Sequence, residues 1–126
     1  AEAEQIAYNG DPQPLSEFGG VTFNGVKTPQ CACVRETQAW GYETAQSEEA
    51  FVADYIKTAD MLFACSCLSG FCYTQLYDIE QEQNGLFTFD RKPKLGQEAM
   101  RKLAECNRQT AAIETQTCEK ARVGAQ

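Results

Sequence analysis

Leu68-Ser69-Gly70-Phe71-Cys72-Tyr73-Thr74-Gln75-Leu76-Tyr77-Asp78 is the stretch that decides the fold. Its side chains alternate. Phe71, Tyr73, Gln75 and Tyr77 fall on one face and Cys72, Thr74 and Leu76 on the other, the period of a buried β-strand. Just upstream the period changes. Phe51, Tyr55, Ala59, Leu62 and Phe63 recur at helical spacing, while Asp54, Lys57 and Asp60 fall elsewhere. Ser47 stands where a helix cap is needed, and Glu48 and Glu49 follow it near the positive end of the helix dipole.

Reading outward, Gly10 to Pro14 is turn and extended chain that delivers a strand, Leu15 to Phe18, ending abruptly at Gly19-Gly20. Glycines at a strand end imply a turn or a close approach of the backbone to something else. Val21 to Val26, with Asn24-Gly25 inside it, suggests a small hairpin or loop. Thr28 to Tyr42 reads as a stapled loop with Trp40 and Tyr42 as anchors. Downstream, Asp78 to Asn84 is a polar acidic loop closed by Asn84-Gly85, and Leu86 to Phe89 is briefly extended. Arg91-Lys92-Pro93-Lys94 is a turn into a second helix, Gln97 to Cys106, with Ala99, Met100 and Leu103 inward. A polar tail then runs through Ile113 and Cys118 to Gln126. The order strand, helix, strand, helix predicts an α/β fold of two βα units. Residues 1–4 repeat Glu-Ala like a leader remnant and are set apart; 5–126 form one small domain.

Composition narrows the function. The chain has 126 residues, seven cysteines, no histidine and a net charge of −7. Its length allows one modest core. The acidic balance repels nucleic acid and anionic lipid, so neither is an expected partner. No apolar run reaches the ~20 residues of a membrane helix. Without histidine, Ser-His-Asp, Cys-His and zinc-protease chemistry are excluded, and carboxylates, tyrosines and thiols remain.

The cysteine content points to secretion into an extracellular, oxidising setting. Cys31/Cys33 and Cys65/Cys67 offer four thiolates, yet Cys-x-Cys is a poor zinc knuckle, and neither a metal nor a cofactor is expected. Two cysteines one residue apart rarely bond to each other, so each cysteine is expected to find a distant partner.

Two blocks carry a resemblance. Leu15-Ser16-Glu17-Phe18-Gly19-Gly20, followed by Trp40-Gly41-Tyr42, is one. Ser69-Gly70-Phe71-Cys72-Tyr73-Thr74-Gln75-Leu76-Tyr77-Asp78-Ile79-Glu80-Gln81-Glu82-Gln83-Asn84-Gly85-Leu86, with Asp90-Arg91-Lys92-Pro93-Lys94, is the other. Over residues 13–95 the chain resembles the end of a family two glycoside hydrolase of the β-galactosidase or β-glucuronidase kind, with 96–126 as a helical tail. The resemblance implies strands seven and eight and helices seven and eight of a (β/α)₈ barrel, truncated and stapled. It implies that Glu17 holds the nucleophile's place at a strand's carboxyl end, where barrel enzymes keep their reactive groups. A retaining glycosidase also needs an acid/base carboxyl about 5–5.5 Å away. In the family that group follows an asparagine, and this sequence contains no Asn-Glu pair.

Because Cys72 lies inside the family-like strand, it is read as an inherited buried free thiol. The other six, Cys31, Cys33, Cys65, Cys67, Cys106 and Cys118, are the disulfide candidates, with fifteen possible connectivities. A rival account pairs Cys72 and leaves another thiol for an intermolecular bond. Trp40, Tyr73, Tyr77, Asp78, Glu80 and Asn84 are the candidate binding residues, the aromatics because they can stack on sugar rings. The expected function is a secreted, effector-like interaction protein that binds a protein or carbohydrate outside the cell, with a homodimer also open. The alternative is a piece of a retaining β-glycosidase with Glu17 as its nucleophile.

Overall fold

The computed structural model describes residues 11–23 and 43–115. It is a small mixed α/β domain. In chain order the elements are β1 (Gln13–Gly19), β2 (Val21–Thr22), β3 (Glu43–Thr44), α1 (Glu48–Phe63), β4 (Leu68–Thr74) and α2 (Gln97–Cys106). A short helical turn follows at 112–115. β1 pairs with β4 in parallel, Leu15 opposite Phe71 and Gly19 opposite Thr74, with irregular register between Leu15 and Phe18. β2 pairs with β3, also in parallel.

The first helix forms as its sequence dictates. Ser47 is its N-cap and accepts a hydrogen bond from the Ala50 N–H at 3.1 Å, leaving one fewer orphan donor in the first turn. Phe51, Val52, Tyr55 and Ala59 are buried along one stripe. They meet Phe18 and Phe23 from the β1–β2 segment and Leu95, Ala99, Leu103 and Cys106 from the α2 side in one core. Large apolar side chains buried in this way contribute about 1.5–3 kcal/mol each. Phe18 sits at the centre of an aromatic group, with ring centroids 5.7 Å from Tyr55, 5.3 Å from Phe71 and 5.4 Å from Tyr73. The second helix spans the residues expected of it, with Ala99 and Leu103 buried and Met100 packed beside them.

Three expectations change. The strand expected over Leu68 to Asp78 stops at Thr74, because beyond that residue the backbone hydrogen bonds go to Leu86 and Phe87 rather than to β1. Cys72, expected to be a buried thiol, is exposed. It lies on the face of β4 that turns away from Phe18, while Phe71 and Tyr73 on the other face reach the core. Finally, Cys65, Cys67 and Cys106 are free thiols, so no staple is present among the described residues. The remaining candidates, Cys31, Cys33 and Cys118, lie outside the described residues, as do Trp40, Tyr42, residues 1–4 and the Asn24-Gly25 turn.

Candidate functional site

The carboxyl ends of β1 and β4 lie side by side. Gly19 has φ 101° and Gly20 φ 72°, a conformation that glycine adopts without strain. A Cβ on Gly19 would drive into the ring of Tyr73, so the close approach implied by the double glycine is made to an aromatic of the neighbouring strand. Gly20 N–H donates to the Thr74 carbonyl at 2.9 Å and holds the two strand ends together. Glu17 is exposed at this end and has no hydrogen-bond or ion-pair partner among the described residues.

The loop after β4 folds over the same end of the domain. Asp78 accepts from the Gly85 N–H at 2.9 Å and forms an ion pair with Lys94 at 2.8 Å. Lys94 also donates to the Gln83 carbonyl at 2.9 Å, and its side chain is only 3% exposed. Burial pushes the Lys94 ammonium below its usual range, and the Asp78 carboxylate opposes that shift. Gly85 is required here because a Cβ would collide with the backbone of Tyr77 and Asp78. Tyr73 donates its hydroxyl to the Asn84 carbonyl at 3.1 Å. Burial, with smaller contributions from Tyr55 and Asp78, raises the Tyr73 hydroxyl far above the ordinary tyrosine range. The buried Asn84 side-chain oxygen has no partner among the described residues.

These placements sort the candidate residues. Tyr73 is a half-buried aromatic packed against the core, with ring centroids 5.4 Å from Phe18 and 5.1 Å from Tyr55, so its ring is engaged inside the domain rather than offered to a sugar. Tyr77 lies near the surface, 5.9 Å from Phe87 by ring centroids, with the Arg91 guanidinium 5.3 Å over its ring. Asp78 is a structural ion-pair partner. Glu80 is exposed with φ 51° in the turn between Ile79 and Glu82, and Asn84 is buried. Glu82 receives a hydrogen bond from Gln75 at 3.4 Å. Glu17 is thus brought to the strand ends, whereas the loop carboxylate nearest in kind, Asp78, is already committed to Lys94. Trp40 lies outside the described residues.

Two features were missed in the sequence. Lys94 reads there as part of a basic turn, and nothing local links it to Asp78, its partner sixteen residues away. The second is the Cys65-Ser66-Cys67 turn. Cys65 Sγ and Cys67 Sγ are 3.1 Å apart because the segment is a tight turn after α1, closed by a hydrogen bond from the Leu68 N–H to the Cys65 carbonyl, and not extended chain. The position of the pair, directly after a helical pattern and before a strand, was the available signal. No group of three or more metal-ligating side chains gathers among the described residues. No helix there is long and apolar enough to cross a membrane.

Comparison with protein-family models finds no match to this chain, and comparison with curated proteins finds none either.

Proposed function

We propose that the chain is a secreted derivative of a family two glycosidase barrel, retaining the last two βα units, and that it acts by binding a protein partner rather than by cleaving a glycoside. The observation that carries this reading is an apolar surface on the loop beside the strand ends. Leu76 is 51% exposed, Ile79 55% and Phe89 75%, and with Tyr77 they make up all but one, Met61 on α1, of the exposed large apolar residues among the described residues. Apolar side chains left in water on a short, internally hydrogen-bonded loop mark a contact surface. The parallel arrangement of β1 and β4, with Glu17 near the carboxyl end of β1, supports the barrel origin. The commitment of Asp78 to Lys94 supports the absence of hydrolysis, since it takes one of the three loop carboxylates, with Glu80 and Glu82, out of acid/base work. The core position of Tyr73 weighs against sugar stacking as the means of binding.

The test is recovery of an extracellular protein on the immobilised chain, compared with the double variant Ile79→Ser, Phe89→Ser. The proposal expects a partner bound by the original chain and lost from a variant with unchanged circular dichroism. Equal recovery by both overturns it.

The second reading, a piece of a retaining β-glycosidase, rests on exposed Glu17 at the strand end. It requires a carboxyl group supplied by another chain or segment.

A further inference from the structure

The Cys65-Ser66-Cys67 turn brings two half-buried thiols together at the surface end of α1. Ala64 caps α1, the Cys65 N–H donates to the Leu62 carbonyl at 3.1 Å, and the Leu68 N–H donates back to the Cys65 carbonyl at 3.4 Å. Both flanks of the turn are therefore fixed, one by a helix of sixteen residues and the other by a strand paired to β1. Between them the sulfurs stand 3.1 Å apart. A disulfide needs about 2.05 Å, so roughly 1 Å of side-chain motion separates the dithiol from a bond. The closed form would span a single intervening residue. Disulfides that are strained and exposed in this way are readily reduced and exchange with other thiols, unlike buried structural staples. Neither thiol has a role in the core, in contrast to Cys106, which is buried against α1 and receives a hydrogen bond from Gln109.

We propose that Cys65 and Cys67 form a dithiol–disulfide exchange site, with Cys65 as the attacking thiol and Cys67 as the resolving one, acting on small or protein-borne disulfides. The two roles follow from the asymmetry of the pair. The hydrogen bond shared with Cys67 lowers the Cys65 thiol below its usual value, and backbone hydrogen bonds from Cys67 and Leu68 in the turn lower it further, whereas the shared contact and desolvation raise Cys67. At neutral pH Cys65 is therefore the better source of thiolate, the reacting form.

The step balances. Cys65 gives up its proton, and its thiolate attacks one sulfur of the external disulfide, whose S–S bond breaks. The departing thiolate takes up that proton. Cys67 then loses its proton and attacks the Cys65 sulfur of the mixed disulfide, expelling the second external thiolate, which is protonated in turn. Two electrons pass from the cysteine pair to the external disulfide, which is released as two thiols. Reduction of the Cys65–Cys67 bond by another dithiol restores the starting state.

Oxidised glutathione serves as the probe, with the full chain as substrate and the products read by intact mass and peptide mapping. The original chain should lose two hydrogens, map to a Cys65–Cys67 bond and retain no glutathione on either residue. Cys67→Ser should trap glutathione on Cys65, in a mixed disulfide at least about tenfold longer-lived than in the original chain, because intramolecular resolution is removed. Cys65→Ser should leave Cys67 far less modified. A bond from Cys65 or Cys67 to any other cysteine overturns the proposal, as does stable glutathionylation of Cys65 in the original chain. Equal trapping in the two serine variants overturns the assignment of roles. These outcomes are independent of whether the loop surface binds a partner.

Discussion

The side of the domain where α1 meets β1 and α2, and the loop that follows β4, are held by opposite means. On the first side, Phe51, Ala59, Phe18 and Leu103 exclude water from a contiguous apolar core, and the polar bonds between α1 and the α2 side, such as Tyr55 with Asn107, lie at its edge. In the loop, Leu76, Ile79 and Phe89 face outward, and order comes from a buried ion pair, a glycine with no room for a Cβ, and backbone hydrogen bonds from Asp78 to Phe87 and from Lys94 to Leu86. Burial is non-directional and forgiving of small changes, whereas a buried charge pair depends on both of its members. The first region gives the domain its stability. The second gives a loop of fixed shape that can present apolar groups to a partner.

That contrast can be broken most severely from the core side. Phe51 is among the largest fully buried side chains, and Phe51→Ala should cost about 3–5 kcal/mol, read as a fall in the chemical-denaturation midpoint that affects every element together. Lys94→Ala should cost about 3 kcal/mol, because Asp78 is left partly buried without its cation. Its signature is local: amide exchange should accelerate from Asp78 to Phe87 while α1 stays protected. A Lys94→Met, Asp78→Asn pair should recover part of the loss.

The alkaline limb sharpens the contrast from the Tyr73 hydroxyl, where core and loop meet. The folded chain holds the Tyr73 proton above the usual tyrosine value of 10.0, so stability from this group is fully present below about pH 10 and is lost as pH rises above it. The slope is at most about 1.4 kcal/mol per pH unit for one such group. Tyr73→Phe should flatten that fall in a denaturation series across pH 9 to 11. Ser47→Ala is the mildest of the four, at about 1 kcal/mol, through loss of the cap to the Ala50 N–H, and it should leave the loop untouched.

Periodicity made the core side legible in advance. The Ser47 cap, the stripe through Phe51, Tyr55 and Ala59, and the helix from Gln97 to Cys106 are local patterns, and the structure follows them. The Gly19-Gly20 ending was readable as a close approach, although the partner, Tyr73, was not. The loop was much less legible. The Asp78–Lys94 pair depends on residues sixteen apart with no repeating pattern between them, and Asn84-Gly85 reads as an ordinary turn when it is a packed contact. Alternation across β4 placed Cys72 on the face away from the aromatic core but could not tell that this face is open. The Cys65–Cys67 approach was not legible because it depends on the tight turn between α1 and β4, whose shape no residue pattern on either side announces.

Hydrolysis of a panel of aryl β-galactosides, β-glucuronides and β-mannosides by the purified chain, beside Glu17→Gln, tests the central claim most directly. With Asp78 held by Lys94 and no Asn-Glu pair in the sequence to supply the acid/base carboxyl, aglycone release should equal the buffer control and be the same for both proteins. Release by the original chain that Glu17→Gln abolishes would contradict the account and make the strand end an active site in its own right.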